Sequence, residues 1–171
     1  MKTLVLGIIF IGLTSFSFSQ NQLASTMTSS DLTSHSSKKS LLNIDYLNTV
    51  NRVDVSKKIQ KLQSVVASYK IKEQNIYQSK RNTTYTVDFS EGDNKIEAIY
   101  DKNGDLLSSE ENYKTIKLPY DLSSKIAKAH PGWAFDKIQC NIKYSKDEQT
   151  HISYRVIMKQ GRKTKTINIG A

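Results

Sequence analysis

Apolar residues recur along this chain with two different periods, and each change of period marks a change of element. Val55, Ile59, Leu62, Val66 and Tyr69 follow at intervals of four, three, four and three, which draws one stripe along a helix. Lys57, Lys58 and Lys61 fall off that stripe, and Asp54 stands ahead of it as a residue able to accept a free backbone N–H at the helix start. The period then becomes two. Tyr85, Val87 and Phe89 alternate within 84–89, and Ile96, Ala98 and Tyr100 within 95–100, as expected of half-buried strands, with a weaker strand expected over 75–80. Asn103-Gly104 between strand-like flanks predicts a tight hairpin turn, and so a strand from Asp105 to about Ser109 pairing back on 95–100.

The same order then restarts. Leu118-Pro119-Tyr120-Asp121 opens a second helix with Leu122, Ile126 and Ala129 on one face, and Pro131-Gly132 closes it, because proline disfavours helix in the residue before it. Ile138, Cys140, Ile142 and Tyr144 alternate next, then Ile152, Tyr154, Val156 and Met158. After a turn at Gly161, Lys165, Ile167 and Ile169 share a face. Tyr-Thr-Val at 85–87 echoes Tyr-Arg-Val at 154–156. These patterns predict an α+β fold: tandem α-β-β-β repeats forming a mostly antiparallel sheet, with two helices packed on one face. The opposite face should be polar and carry Thr84, Thr86, Asp88, Ser153 and Arg155, with Lys159 at its edge.

The residues before the repeat read differently. Lys2, the apolar run from Leu4 to Leu13 and the small residues Ser17 and Ser19 predict a cleavable signal peptide over 1–19. An apolar run of about ten residues is too short for a hydrocarbon layer roughly 30 Å thick, so no stable membrane anchor is expected. Ten of the residues from Gln20 to Ser40 are Ser or Thr, without helical or strand period. Such a stretch buries too little apolar area to offset its ordering entropy, which predicts a disordered leader. Leu41 to Val53 is more apolar, suited to a short helix or an extended arm. The expected organisation is signal peptide 1–19, leader and arm 20–53, and repeat domain 54–171.

Charge and chemistry narrow the function. Twenty-five Lys+Arg stand against 16 Asp+Glu, and the signal peptide contains only one of those lysines, so the basic character belongs to the rest of the chain. Lys159, Arg162, Lys163 and Lys165 form a basic hairpin, better suited to an acidic protein surface or an anionic envelope polymer than to nucleic acid, given the signal peptide. Catalysis would need a nucleophile with a base, paired carboxylates in a pocket, a metal cluster or a phosphate cradle, and no such set is evident. Cys140 is the only thiol and alternates with apolar residues, so it reads as buried. His35, His130 and His151 have no partner at ligand spacing. Asp101, Asn103 and Asp105 imitate the first ligands of a calcium loop, but Leu106 and Asn112 stand where that loop needs glycine and glutamate, which favours a turn. Glu110 and Glu111 read as a solvated acidic pair, and seven glycines in all leave little for a phosphate loop. A nucleotidyltransferase would need a second histidine where Trp133 stands. Trp133 either packs across the helix end or lies partly exposed beside Tyr120 and Phe135 as an interface anchor.

Tyr-Asp-x-Asn-Gly-x-Leu at 100–106, Leu-Pro at 118–119, His-Pro-Gly-Trp at 130–133 and the basic Lys-Gln-Gly-Arg-Lys turn at 159–163 resemble the PepSY-like family of small secreted proteins common in Bacteroidota. That group is related in fold to β-lactamase inhibitor proteins. The resemblance covers residues from Asp54 onward. It implies a domain of helix-plus-antiparallel-sheet repeats without known catalysis, binding or inhibiting extracellular or periplasmic enzymes such as peptidases. Members often carry an aromatic residue where this chain has His130.

Together these features predict a secreted or periplasmic, non-enzymatic binding module with no cofactor or metal. It would be a monomer that meets an acidic protein partner and no nucleic acid. The candidate partner-binding residues are Thr84, Thr86, Trp133, Arg155, Lys159, Arg162 and Lys163. The alternative is a structural or stress-related envelope protein with no tight ligand.

Overall fold

In chain order the elements are β1 (Gln22–Met27), α1 (Ile44–Val50), α2 (Lys57–Ala67), β2 (Thr84–Glu91), β3 (Asn94–Tyr100), β4 (Leu106–Lys114), α3 (Tyr120–Ala129), β5 (Ala134–Ser145), β6 (His151–Gln160) and β7 (Lys163–Gly170). They come from a computed structural model that describes residues 22–27, 42–79, 82–114 and 116–170. The signal peptide expected over 1–19 lies outside the described residues. The repeat expectation is met: α2 with β2, β3 and β4, then α3 with β5, β6 and β7, is one α-β-β-β unit followed by another.

All seven strands form one sheet in the order of the chain, antiparallel at every junction except the parallel pairing of β1 with β2. Short connections dictate the antiparallel pairing within β2–β3–β4 and within β5–β6–β7, since a parallel neighbour needs a long crossover, while the link from β4 to β5 holds α3. Successive strand residues point to opposite faces, and the register aligns one face across the sheet. Tyr85 pairs with Tyr100, Ile96 with Glu111, Tyr113 with Cys140, Cys140 with Tyr154 and Val156 with Ile167. This inner face carries the buried core with residues of all three helices, among them Tyr46, Leu62, Val66 and Ile126.

Four details depart from the sequence expectations. The leader was expected to be disordered, yet Gln22–Met27 pairs with Thr84–Phe89 as strand β1. Its backbone bonds to the β2 edge without needing the apolar period that a core strand shows. Helix α2 begins after Ser56 rather than Asp54. The Ser56 hydroxyl accepts the Ile59 N–H at 3.4 Å, the reach of an N-cap, whereas Asp54 stands two residues too early. No strand forms over 75–79: the Gln78 N–H donates to the Tyr85 hydroxyl at 2.9 Å, and that hydroxyl donates to the Gln78 carbonyl at 3.3 Å, which takes up both ladder groups of that residue. The Asn103-Gly104 turn is longer than a two-residue loop. Asp101 Oδ1 accepts the N–H of Asn103 at 2.7 Å and of Asp105 at 2.9 Å, so β4 starts at Leu106.

Within the arm, Ile44–Val50 forms helix α1. Tyr46, Leu47 and Val50 of α1 are buried, and α1 packs on α2 and β5. Asn43 at its start reaches across the fold. Its Nδ2 donates to the carbonyls of Ala67 at 3.2 Å and Gly104 at 3.3 Å, while its Oδ1 accepts the Leu106 N–H at 2.7 Å.

Candidate binding surface

The candidate residues chosen from sequence do not share one place. Thr84 and Thr86 lie on β2 and Arg155 on β6. Four strand spacings separate them, about 19 Å. Thr86 is 7% exposed and so offers little to a partner. Trp133 is half-buried and packs against the core, on the inner side of the sheet, whereas Arg155 pairs with Gln139 and Asn168 on the outer face. Tyr120 is 83% exposed, but it opens α3 while Trp133 follows its end, about 14 Å along the helix axis. The two aromatics therefore do not form one anchor.

Lys159, Arg162 and Lys163 do share one place, the end of the β6–β7 hairpin, which abuts the turn that carries Trp133. The α3 helix gives way to a turn in which the Trp133 N–H donates to the His130 carbonyl at 3.2 Å. Pro131 fixes the first corner, and Gly132 takes φ 78° at the second, the arrangement that favours Pro-Gly in a turn of this type. A Cβ on Gly132 would stand 2.9 Å from Gln160 Nε2, so the turn abuts the hairpin. Lys165 Nζ lies 5.8 Å from the centroid of the Trp133 ring, within cation–π range. The same ammonium is 3.2 Å from His130 Nδ1, where lysine is the donor and the ring nitrogen accepts. A register shift between Phe135 and Lys137 marks a bulge beside this turn, and Asp136 pairs with Lys159 at 2.9 Å. Lys137, Arg162, Lys163 and Lys165 are exposed, and Phe135 is 38% exposed alongside them. Asp136 could not be placed from sequence, because it is the extra residue of the bulge and meets Lys159 only there.

The other end of the outer face is acidic. Asp88, Glu97 and Glu110 stand directly opposite one another across β2, β3 and β4. They line a cleft of about 380 Å³ with Ser90, Lys95 and Asn112. Lys143 meets Glu110 at 3.7 Å. The outer face thus carries three facing carboxylates on the first unit, and Lys137, Lys143, Arg155 and Lys159 on the second.

One carboxyl belongs elsewhere. Glu110 and Glu111 are not a solvated pair, because neighbours on a strand face opposite ways; Glu110 is exposed and Glu111 is wholly buried. Glu111 accepts from the Tyr46 hydroxyl at 2.8 Å, Gln63 Nε2 at 2.9 Å, Ser109 Oγ at 3.2 Å and the Tyr113 hydroxyl. Burial pushes this carboxyl above its ordinary value of 4.5, while the four donors pull it back, and burial prevails. Tyr46, Tyr100 and Tyr113 are all raised, chiefly by burial. The network ties α1 and α2 to β4, and no substrate could reach it without unfolding that interface.

Cys140 is buried in phase with its apolar neighbours, and burial together with the Glu111 charge pushes its thiol up to about 12. Asp101 and Asp105 are taken up by the turn and by an ion pair of Asp105 with Lys146 at 3.0 Å. Among the described residues no cluster of three His, Cys, Asp or Glu side chains is placed to hold a metal ion, and no helix is long and apolar enough to cross a membrane. No family model, no curated protein and no solved structure matches the chain.

Proposed function

We propose that this chain is a secreted or periplasmic, non-enzymatic binding module whose basic hairpin end engages an acidic protein, with inhibition or regulation of a peptidase or other envelope enzyme as its role. One observation carries the reading. Lys159, Arg162, Lys163 and Lys165 share the end of one hairpin, where Lys159 pairs with Asp136 and Lys165 lies over the half-buried Trp133. Fixed like charges on a rigid hairpin raise the local potential, which steers an acidic partner and makes the association salt-sensitive. The signal-like residues 1–19 support a location outside the cytoplasm, and the resemblance to PepSY-like proteins supports a binding role.

The test is capture of partners from periplasm or culture medium by the intact protein and by a Lys159→Glu, Arg162→Glu, Lys163→Glu variant with unchanged circular dichroism. An acidic partner bound by the first and released by the second is the expected result. Equal capture by both would remove the hairpin from the binding surface.

A further inference from the structure

We infer that the free edge of β7 is a docking site for an extended acidic segment of a partner protein, which joins the sheet there as an eighth strand. The inference rests on the reading of the hairpin end as the binding surface for an acidic partner, and specifies how that partner would be held.

The repeat has two edge strands, β2 and β7. One of them already takes an added strand: β1 comes from outside the repeat and lies along β2 over Gln22–Met27. Among the described residues nothing pairs with the outer side of β7. Gln160 and Lys163 flank the two-residue turn Gly161-Arg162, with Gly161 at φ 57°, and so form the hydrogen-bonded pair that closes the hairpin. Alternation along the ladder then turns the backbone groups of Lys165, Ile167 and Ile169 toward β6. It leaves the N–H and C=O of Thr164, Thr166 and Asn168 facing away from the sheet. Such a row is a template for strand addition, with side chains at alternate positions supplying specificity.

The side chains indicate the occupant. On the inner face β7 presents Lys163, Lys165, Ile167 and Ile169, the lysines exposed and the isoleucines half-buried. Arg162 lies at the turn and Lys159 opposite Thr164. A strand that fits carries acids beside the lysines and apolar residues beside the isoleucines. A second copy of β7 brings two more lysines and no acid, so the like charges that protect the edge from self-pairing select an acidic partner.

The probe is a synthetic octapeptide with threonine at alternate positions, and between them two valines to meet Ile169 and Ile167 and two glutamates to meet Lys165 and Lys163. Adding it to the intact protein should slow amide hydrogen exchange at Thr164, Thr166 and Asn168. Thr166→Pro removes an outward N–H while sparing the ladder to β6, and should weaken binding about tenfold or more; Thr166→Val should bind as the parent does. Continued protection of the Lys165 and Ile167 amides in the proline variant shows that its hairpin is intact, and if that variant fails to fold, the exchange pattern of the parent decides. Lys163→Glu with Lys165→Glu should weaken binding by a similar factor. Loss of binding on charge reversal, with no slowed outward amides and no effect of the proline, overturns strand addition and leaves the basic binding surface standing. Indifference to both variants overturns both readings. Outward amides already protected without peptide, increasingly so with protein concentration, would mean that a second copy occupies the edge, and would overturn the acidic-segment assignment.

Discussion

The two α-β-β-β units share an order of elements but differ in how deeply they are buried. Helix α2 of the first buries Ile59, Leu62, Gln63, Val66 and Ala67, whereas α3 of the second buries only Ile126. Half of strand β2 is buried, while β7 has no buried residue. The cause lies outside the repeat. Helix α1 adds Tyr46, Leu47 and Val50 to the core, and the Glu111 network joins α1 and α2 to β4. The first unit is therefore the more deeply buried half, and the second keeps exposed the hairpin end and sheet edge on which binding is proposed.

Breaking the network should have the largest effect. Glu111→Ala leaves the Tyr46, Gln63, Ser109 and Tyr113 donors buried without their acceptor, and should cost on the order of 3–5 kcal/mol in urea unfolding. Matched core truncations measure the contrast between the units directly. Ile59→Ala in α2 should cost about 2–5 kcal/mol and Leu122→Ala in the half-buried stripe of α3 about 1 kcal/mol; equal losses would show that the two halves are equally packed.

The pH dependence sharpens the assignment of Glu111. Its raised carboxyl binds a proton more tightly in the folded protein than in the unfolded chain, so acid favours the folded state through this group. That contribution is fully present below the unfolded value near 4.5 and is lost as pH rises through the raised folded value. Glu111→Gln should remove this slope, seen as a difference between the unfolding free energies of variant and parent across mildly acidic pH. Cys140, pushed up to about 12 and buried, should react with a thiol reagent only on unfolding; rapid labelling of the folded protein would show that the second unit opens around β5. The smallest effect on stability belongs to the hairpin: reversing Lys159, Arg162 and Lys163 should lower it by no more than about 1 kcal/mol, chiefly through loss of the Lys159–Asp136 pair, while abolishing the proposed partner binding.

Much of the fold was legible because period and burial are linked. Ile59, Leu62 and Val66 could only pair with an apolar face, and Tyr85, Val87 and Phe89 could only supply one, so the α+β class and the repeat followed from spacing. Cys140 took its buried place by the same alternation. Glu111 was misread because its neighbour Glu110 suggested a solvated pair, although strand alternation forces two consecutive residues apart. The binding surface was legible only where residues are close in sequence. Lys159, Arg162 and Lys163 meet across one short turn, but Thr84 and Arg155 share a polar phase without sharing a place, and Trp133 belongs to the inner side.

The sequence by itself determined the alternation of apolar residues toward the core and the turns at Gly104, Gly132 and Gly161, because those depend on local spacing, on glycine at positive φ and on proline at a helix end. Only the tertiary structure decided that residues 22–27 add a strand to β2, that α1 closes over Glu111, and that no strand among the described residues covers the β7 edge. Those outcomes depend on contacts between segments far apart in the chain, and no local period records which of two similar edges or faces another segment will cover.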